Sequence, residues 1–392
     1  MPIDAVVLAD TPERLQVALA DLADLPTVGV DVERADWDRY WRSAALVQVG
    51  GDGRVVLVDP LRVADLSPLA AFLAERTCVL HAMDNDLGPL ASAGVDLPLL
   101  EDTSIAAAML GLPLGLEVLL RDLLGVALSG DKAAMQRANW EERPLTPEMQ
   151  AYAAGDVADL PALWQVLAER LKAQDRWAWY RQELEAVQRQ PPAEQRRAWT
   201  RTKGIGRLDP DATDRLRSLW DTREELAQTT DTAPSRIAAD KLLVDLAVRP
   251  PTSTSELVRR GLRRAAVRSW GAALLDAVGA AQAVATAPRR RSGNGGRPPT
   301  EADRQRADTL RALRSERAAE IGIDPGVLCP SRTLLGAVLS DPETPDQLRE
   351  ALDLRPWQWE QMGAVFCEAL GLDGPGRPAP PVSARASEQV SG

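Results

Sequence analysis

The chain has 392 residues, enough for two or three domains, and its 45% apolar and 26% charged content is that of a globular protein. No run of eighteen apolar residues occurs, so no membrane span is expected, and the start, MPIDAVVLADTPERL, lacks the basic-then-apolar pattern of a signal peptide. The net charge of −11 argues against a nucleic-acid partner until the chain is divided: residues 1–190 carry 30 acidic and 16 basic side chains, residues 191–392 carry 27 and 30, and such asymmetry hints at separate jobs.

In chain order, strands are expected at Ala5–Leu8, Thr27–Glu33, Ala44–Gly50, Val55–Asp59 and Cys78–Ala82, the middle three as an antiparallel meander because their connections are short. Helical patterns follow at Pro68–Glu75, Leu87–Ala93, Ser104–Leu110 and Gly115–Leu124, with a long one from Thr146 to about Ala173. The expected fold is therefore α/β, a mixed sheet flanked by helices over residues 1–190, followed by two all-α blocks at 200–285 and 300–372. Between the blocks, residues 286–299 read as a basic Gly/Pro linker, and 373–392 as a disordered tail. The blocks look like a repeat. Each has a long charged helix, then Pro-Ser-Arg (Pro234–Arg236, Pro330–Arg332), then a leucine pair (Leu242 and Leu243, Leu334 and Leu335), and closes on a tryptophan helix with Trp270 or with Trp357 and Trp359.

The only histidine is His81, and the three cysteines match neither zinc nor disulfide spacing, so the available site chemistry is mostly carboxylate chemistry and a reducing cytoplasm is expected. The stretch TVGVDVERADWD places Asp31 and Glu33 on one face of a strand, since residues two apart point the same way. Two carboxylates that close repel unless one reaches solvent or a cation lies between them. VLHAMDNDLGPL puts Asp84 and Asp86 where a helix begins, as metal ligands or as simple N-caps. MQAYAAGDVADL puts Tyr152 and Asp156 one turn apart on a helix face.

In that order, VDVE, HAMDNDL and RPLTPEMQAYAAGDVADL resemble the motifs of the DEDD 3′→5′ exonucleases of the tyrosine-containing branch, within it the bacterial ribonuclease D family. The resemblance covers residues 1–175, and the helical blocks resemble the helicase-and-RNaseD C-terminal (HRDC) domain. It implies an RNase H-like fold and a site holding two divalent metal ions, Mg²⁺ or Mn²⁺. Asp31, Glu33, Asp86 and Asp156 match the four acids, Tyr152 the tyrosine that positions water, and His81 a supporting residue. Asp84 fits the spacing from His81 less well. Two ions roughly 3.5–4 Å apart would activate water and stabilise the leaving oxygen, and hard oxygen ligands suit those metals. The chain departs from the pattern at Asn139, where aspartate is frequent, and at Lys132, one residue further than expected from Trp140.

The implied activity is hydrolysis of RNA from a free 3′ end to nucleoside 5′-monophosphates, with tRNA precursors among the candidate substrates. No small-molecule cofactor and no membrane are expected, and a monomer is favoured. A DNA exonuclease with the same site, and a silent nucleic-acid-binding adaptor, remain alternatives. Arg259, Arg260, Arg263, Arg264 and Arg268, with Arg289, Arg290, Arg291 and Arg297 in the linker, are candidates for phosphate contacts or for a solvated face.

Overall fold

The computed structural model describes residues 3–35, 38–41, 43–128, 131–190, 197–285 and 299–373. The linker arginines Arg289, Arg290, Arg291 and Arg297 and the tail beyond residue 373 lie outside the described residues. Two compact units divide the chain: residues 1–101, 128–161 and 190–291 form one, residues 102–127, 162–189 and 292–392 the other.

The first part of the chain runs β1 (Ala5–Ala9), α1 (Pro12–Ala20), β2 (Thr27–Arg34), β3 (Ala44–Gly51), β4 (Arg54–Val58), α2 (Ser67–Ala74), β5 (Thr77–Leu80), α3 (Leu87–Ser92), β6 (Leu100–Asp102), α4 (Thr103–Leu110), α5 (Leu116–Leu124), α6 (Lys132–Met135), α7 (Pro147–Ala158), α8 (Leu160–Ala173) and α9 (Trp177–Gln188). One six-stranded sheet has the order β1-β4-β3-β2-β5-β6. β2, β3 and β4 form the expected antiparallel meander, and β1 and β5 pair in parallel with β4 and β2, so the sheet is mixed.

The single helix expected over Thr146–Ala173 is two helices. Asp159 ends α7, and Pro161 in the first turn of α8 has no N–H to continue the earlier ladder. Thr146 caps α7, its hydroxyl accepting from Met149 N at 3.2 Å, with Pro147 and Glu148 in the first turn. α1, β6 and α9 were not expected from the sequence. α1 has a comparable cap, Thr11 accepting from Arg14 N.

α7 lies against β2, β3 and β4. Val28, Val30 and Val32 are buried and alternate with Gly29, Asp31 and Glu33 along β2. Gly29 faces α7: a Cβ there would sit 2.3 Å from the Val157 carbonyl oxygen and 3.0 Å from the Leu160 Cβ. Its cross-strand partner is Gly50, where a Cβ would sit 2.8 Å from the Arg54 carbonyl oxygen and 3.3 Å from Val157 Cγ2. The two glycines therefore make a seat for the last turn of α7.

The helical part continues as α10 (Pro210–Thr230), α11 (Pro234–Ile237), α12 (Asp240–Val248), α13 (Thr254–Arg259), α14 (Arg264–Ala285), α15 (Glu301–Ile321), α16 (Pro325–Leu328), α17 (Ser331–Leu339), α18 (Pro345–Leu352) and α19 (Pro356–Leu370). Five helices recur in order, the first four pairs at one constant offset and the α14–α19 pair one residue beyond it, with α10 matching α15 and α12 matching α17. A buried arginine recurs with them: Arg223 donates to the Ala238 carbonyl and the Asp240 carboxylate, Arg314 to the Cys329 carbonyl and the Ser331 hydroxyl. This register corrects the Pro-Ser-Arg alignment. Pro234 opens the short helix α11, whose counterpart begins at Pro325, whereas Pro330 is the N-cap of α17. The first set packs around Leu216, Leu219, Leu243, Leu246, Leu257 and Leu274. In the second, Trp357 is fully buried, its indole N–H donating to Glu183 at 2.7 Å and its ring stacked on Trp179 at 4.9 Å.

Gly29→Ala should cost about 1–3 kcal/mol of stability, the range for overpacking a filled core. It should also lower activity, because relief comes only by lifting α7 off β2. Urea unfolding and a nuclease assay on the same preparation check both, and wild-type values in the two would mean that the seat is not needed.

Candidate active site

β2 carries Asp31 and Glu33 to the edge of this seat, and the β2–β3 register shifts immediately afterwards, between Glu33 and Arg34. Such irregularities often re-aim side chains beside active sites. α7 supplies Tyr152 and Asp156 to the same place. The carboxylates of Asp31, Glu33 and Asp156 each offer an oxygen within 4.8 Å of the others, and all three residues are half-buried. Tyr152 donates its hydroxyl to Asp156.

Burial drives the electrostatics. It raises the Asp31 carboxyl above the usual carboxylate range. Asp156 is raised by burial and then by the Asp31 charge, against the lowering effects of the Tyr152 hydroxyl and of Lys132. Glu33 is pushed up to about 9, by burial first and then by the charges of Asp31 and Asp156. Tyr152 is raised by burial and by the acids around it, so its hydroxyl keeps its proton. Three carboxyls this close cannot all ionise without a counter-charge. An all-oxygen donor set whose repulsion a cation would offset fits a hard divalent metal ion.

Asp86 and His81 come from the segment after β5. Ala82 has φ 63° and ψ 49°, left-handed geometry that costs a residue with a Cβ about 1–2 kcal/mol. A single tight turn over Met83–Asn85 follows. Asp86 is 5% exposed and Asp84 is exposed, so the turn sends Asp86 inward. Asp86 stands outside the three-carboxylate cluster. His81 is half-buried at the end of β5.

The segment before α7 is held by Arg143. Its guanidinium makes a two-pronged contact with the buried Asp59, Nε to Oδ2 at 2.6 Å and Nη2 to Oδ1 at 2.9 Å. It also donates to the carbonyls of Ala45, Trp140 and Glu142. Buried charges need this degree of pairing. Trp140 is thereby placed with its ring 6.3 Å from that of Tyr152, and its indole N–H donates to the Met135 carbonyl. The Asp59 and Trp140 contributions were not foreseen. The signals available were an aspartate ending an apolar strand and the arginine of RPL.

Of the candidate arginines in the first helical block, Arg259 pairs with Glu256 at 3.6 Å and Arg260 with Asp245 at 3.3 Å. Arg263, Arg264 and Arg268 are exposed.

The 3′-5′ exonuclease family matches residues 6–172, and the HRDC domain matches residues 212–278 and again 303–370. Ribonuclease D of Gluconacetobacter diazotrophicus is 33% identical over 314 residues, covering 76% of this chain and 77% of that protein. Ribonuclease D of Pseudomonas paraeruginosa is 30% identical over 354 residues, covering 88% and 92%. The crystal structure of Escherichia coli RNase D, an exoribonuclease involved in structured RNA processing, shares the fold with a TM-score of 0.76 at 24% identity, over 94% of this chain and 99% of that one. The catalytic core of RRP6 from Trypanosoma brucei aligns with a TM-score of 0.61 at 24% identity, over 72% and 80%.

The acid cluster has a signed effect on stability. A carboxyl with a higher pKa folded than unfolded favours the fold in its protonated form. For Glu33 this contribution is full below the unfolded value near 4.5 and is lost as pH rises through about 9. In metal-free buffer Glu33→Gln should therefore match the wild-type melting temperature near pH 4.5 and exceed it increasingly towards pH 9. Thermal scans of both proteins across that window check it, and a constant difference would remove the electrostatic explanation.

Proposed function

The chain belongs to the ribonuclease D family and is a 3′→5′ exoribonuclease, and from that premise we propose that Asp31, Glu33, Asp86 and Asp156 hold two Mg²⁺ or Mn²⁺ ions at its active site. The observation that carries this assignment is the meeting of Asp31, Glu33 and Asp156 from two elements within 4.8 Å of one another. When bound, the ions supply positive charge to the scissile phosphate and lower the pKa of the attacking water. Tyr152 keeps its proton, so its hydroxyl, anchored at Asp156, orients that water. His81 and the inward turn at Ala82 support the placement of Asp86. All four acids are present, which speaks against a silent adaptor. The products are nucleoside 5′-monophosphates, and tRNA precursors are the substrates we favour.

We assign residues 1–190 to the exonuclease domain, 200–285 and 300–372 to two HRDC domains, 286–299 to their linker and 373–392 to a tail. The three cysteines are free and buried, which suits a reducing compartment such as the cytoplasm. No helix among the described residues is long and apolar enough to cross a membrane. Arg263, Arg264 and Arg268, exposed on the first HRDC domain, contact RNA phosphates without reading sequence.

Asp31→Ala or Asp156→Ala should leave less than about a tenth of the wild-type rate on 5′-labelled RNA in Mg²⁺, since about 1.4 kcal/mol of lost barrier lowering already costs tenfold. Tyr152→Phe should lower kcat by roughly 10²-fold with KM nearly unchanged. A mutant acid with near-normal turnover would sink the metal assignment, and an unaltered Tyr152→Phe would reduce the tyrosine to packing.

Replacing Arg263, Arg264 and Arg268 together by alanine should weaken binding of long single-stranded RNA. It should also flatten the log–log salt dependence by about 0.7 for each phosphate no longer neutralised. Affinities at several salt concentrations test this, and an unchanged slope would make these arginines a solvated face.

A further inference from the structure

All eight residues of β3 are buried, and one carries a polar side chain: Gln48, 0% exposed. Its amide Oε1 and Nε2 have no hydrogen-bond partner among the described residues. Cross-strand it stands opposite Asp31 on β2 and Leu57 on β4. Directly opposed residues of antiparallel strands share a face with their Cβ atoms about 4.5–5.5 Å apart, so Gln48 lies on the face that α7 covers. There α7 contributes the fully buried Ala153, Ala154 and Val157, which offer no polar side-chain atom. β3 pairs on both edges, so its ladders occupy the neighbouring main-chain groups. A buried amide without a partner is costly, and an apolar side chain of the same length would fill this place without that cost. The polar side chain directly opposite the amide is the Asp31 carboxylate.

We propose that Gln48 is a positioning residue for Asp31. Its amide N–H reaches the Asp31 oxygen turned towards the sheet through one enclosed water, and leaves the other oxygen turned outwards to the cations. This rests on Asp31 being a metal ligand. Groups that orient metal-binding side chains in this way commonly contribute ten- to hundredfold to metal affinity.

The test uses the full-length, metal-free protein and follows Mn²⁺ binding by calorimetry, melting temperature without metal, and kcat and KM on a labelled oligoribonucleotide. Gln48→Met keeps the volume and removes the amide. It should fold with a metal-free melting temperature at or above wild type and bind Mn²⁺ about 10–100-fold more weakly. It should also lose kcat at limiting Mn²⁺ with little change in KM. Gln48→Asn keeps an amide that a water can extend and should fall between the two. Mn²⁺ affinity at the wild-type level in Gln48→Met would overturn the proposal. So would a marked loss of metal-free stability or of folded protein, because the amide would then have its partner in the fold. Asp31→Asn separates the two levels of the argument. If it binds Mn²⁺ normally, the metal-site assignment itself fails; if it loses Mn²⁺ while Gln48→Met does not, only the role of Gln48 fails.

Discussion

How closely α7 can approach the sheet decides whether there is an active site at all. Asp31 and Glu33 ride on β2, and Tyr152 and Asp156 ride on α7, so the distance between the two pairs is set by the contact of Val157 with Gly29 and Gly50. A helix normally stands off a sheet by the thickness of two layers of side chains. Here the strands contribute no side chain at one point, and Val157 of the helix comes against their backbone. Arg143 fixes the other end of α7 by joining the chain ahead of it to Asp59 at the end of β4 and to Ala45 on β3. The close approach and the ion pair together leave α7 little freedom to slide.

That rigidity has an electrostatic cost, visible in the raised pKa of Glu33 and in the raised carboxyls of Asp31 and Asp156. The fold tolerates it because a carboxyl with a raised pKa can keep its proton, and because a cation among the acids would offset their repulsion. Strain at Ala82 belongs to the same pattern: local geometry is unfavourable where it serves to turn Asp86 inward, and the elements on either side are regular.

The parts of this arrangement that obey a local period are legible in the sequence. Asp31 and Glu33 are two apart in a valine-rich strand, Tyr152 and Asp156 are four apart in a helix, and both faces follow from backbone geometry alone. What the sequence conceals depends on partners far along the chain. Gly29 and Gly50 look like ordinary strand glycines until Val157 is placed against them. The break between α7 and α8 falls at Asp159-Leu160-Pro161, with alanine and leucine that favour helix on both sides of it, and α9 sets its apolar positions, Trp177, Tyr180, Leu184 and Val187, among charged and polar residues. Pro-Ser-Arg misled the repeat alignment because identical letters occupy different stations of the two helical frames, whereas the buried arginines keep the true register.

Those arginines have an evolutionary consequence. Each spans its repeat by bonding a main-chain carbonyl fifteen residues further on, and a carbonyl is present whatever the side chain. The cross-brace thus survives substitution almost everywhere around it. In that frame Arg259 and Arg260 of the first copy correspond to Glu350 and Ala351 of the second, and, past a one-residue slip ahead of α14 and α19, Arg268 corresponds to Glu360. One copy has become basic at these stations while the other has become acidic and apolar, without disturbing the common frame. Gene duplication on such a brace separates inheritance of shape from inheritance of surface, so the two copies are free to be selected for different tasks.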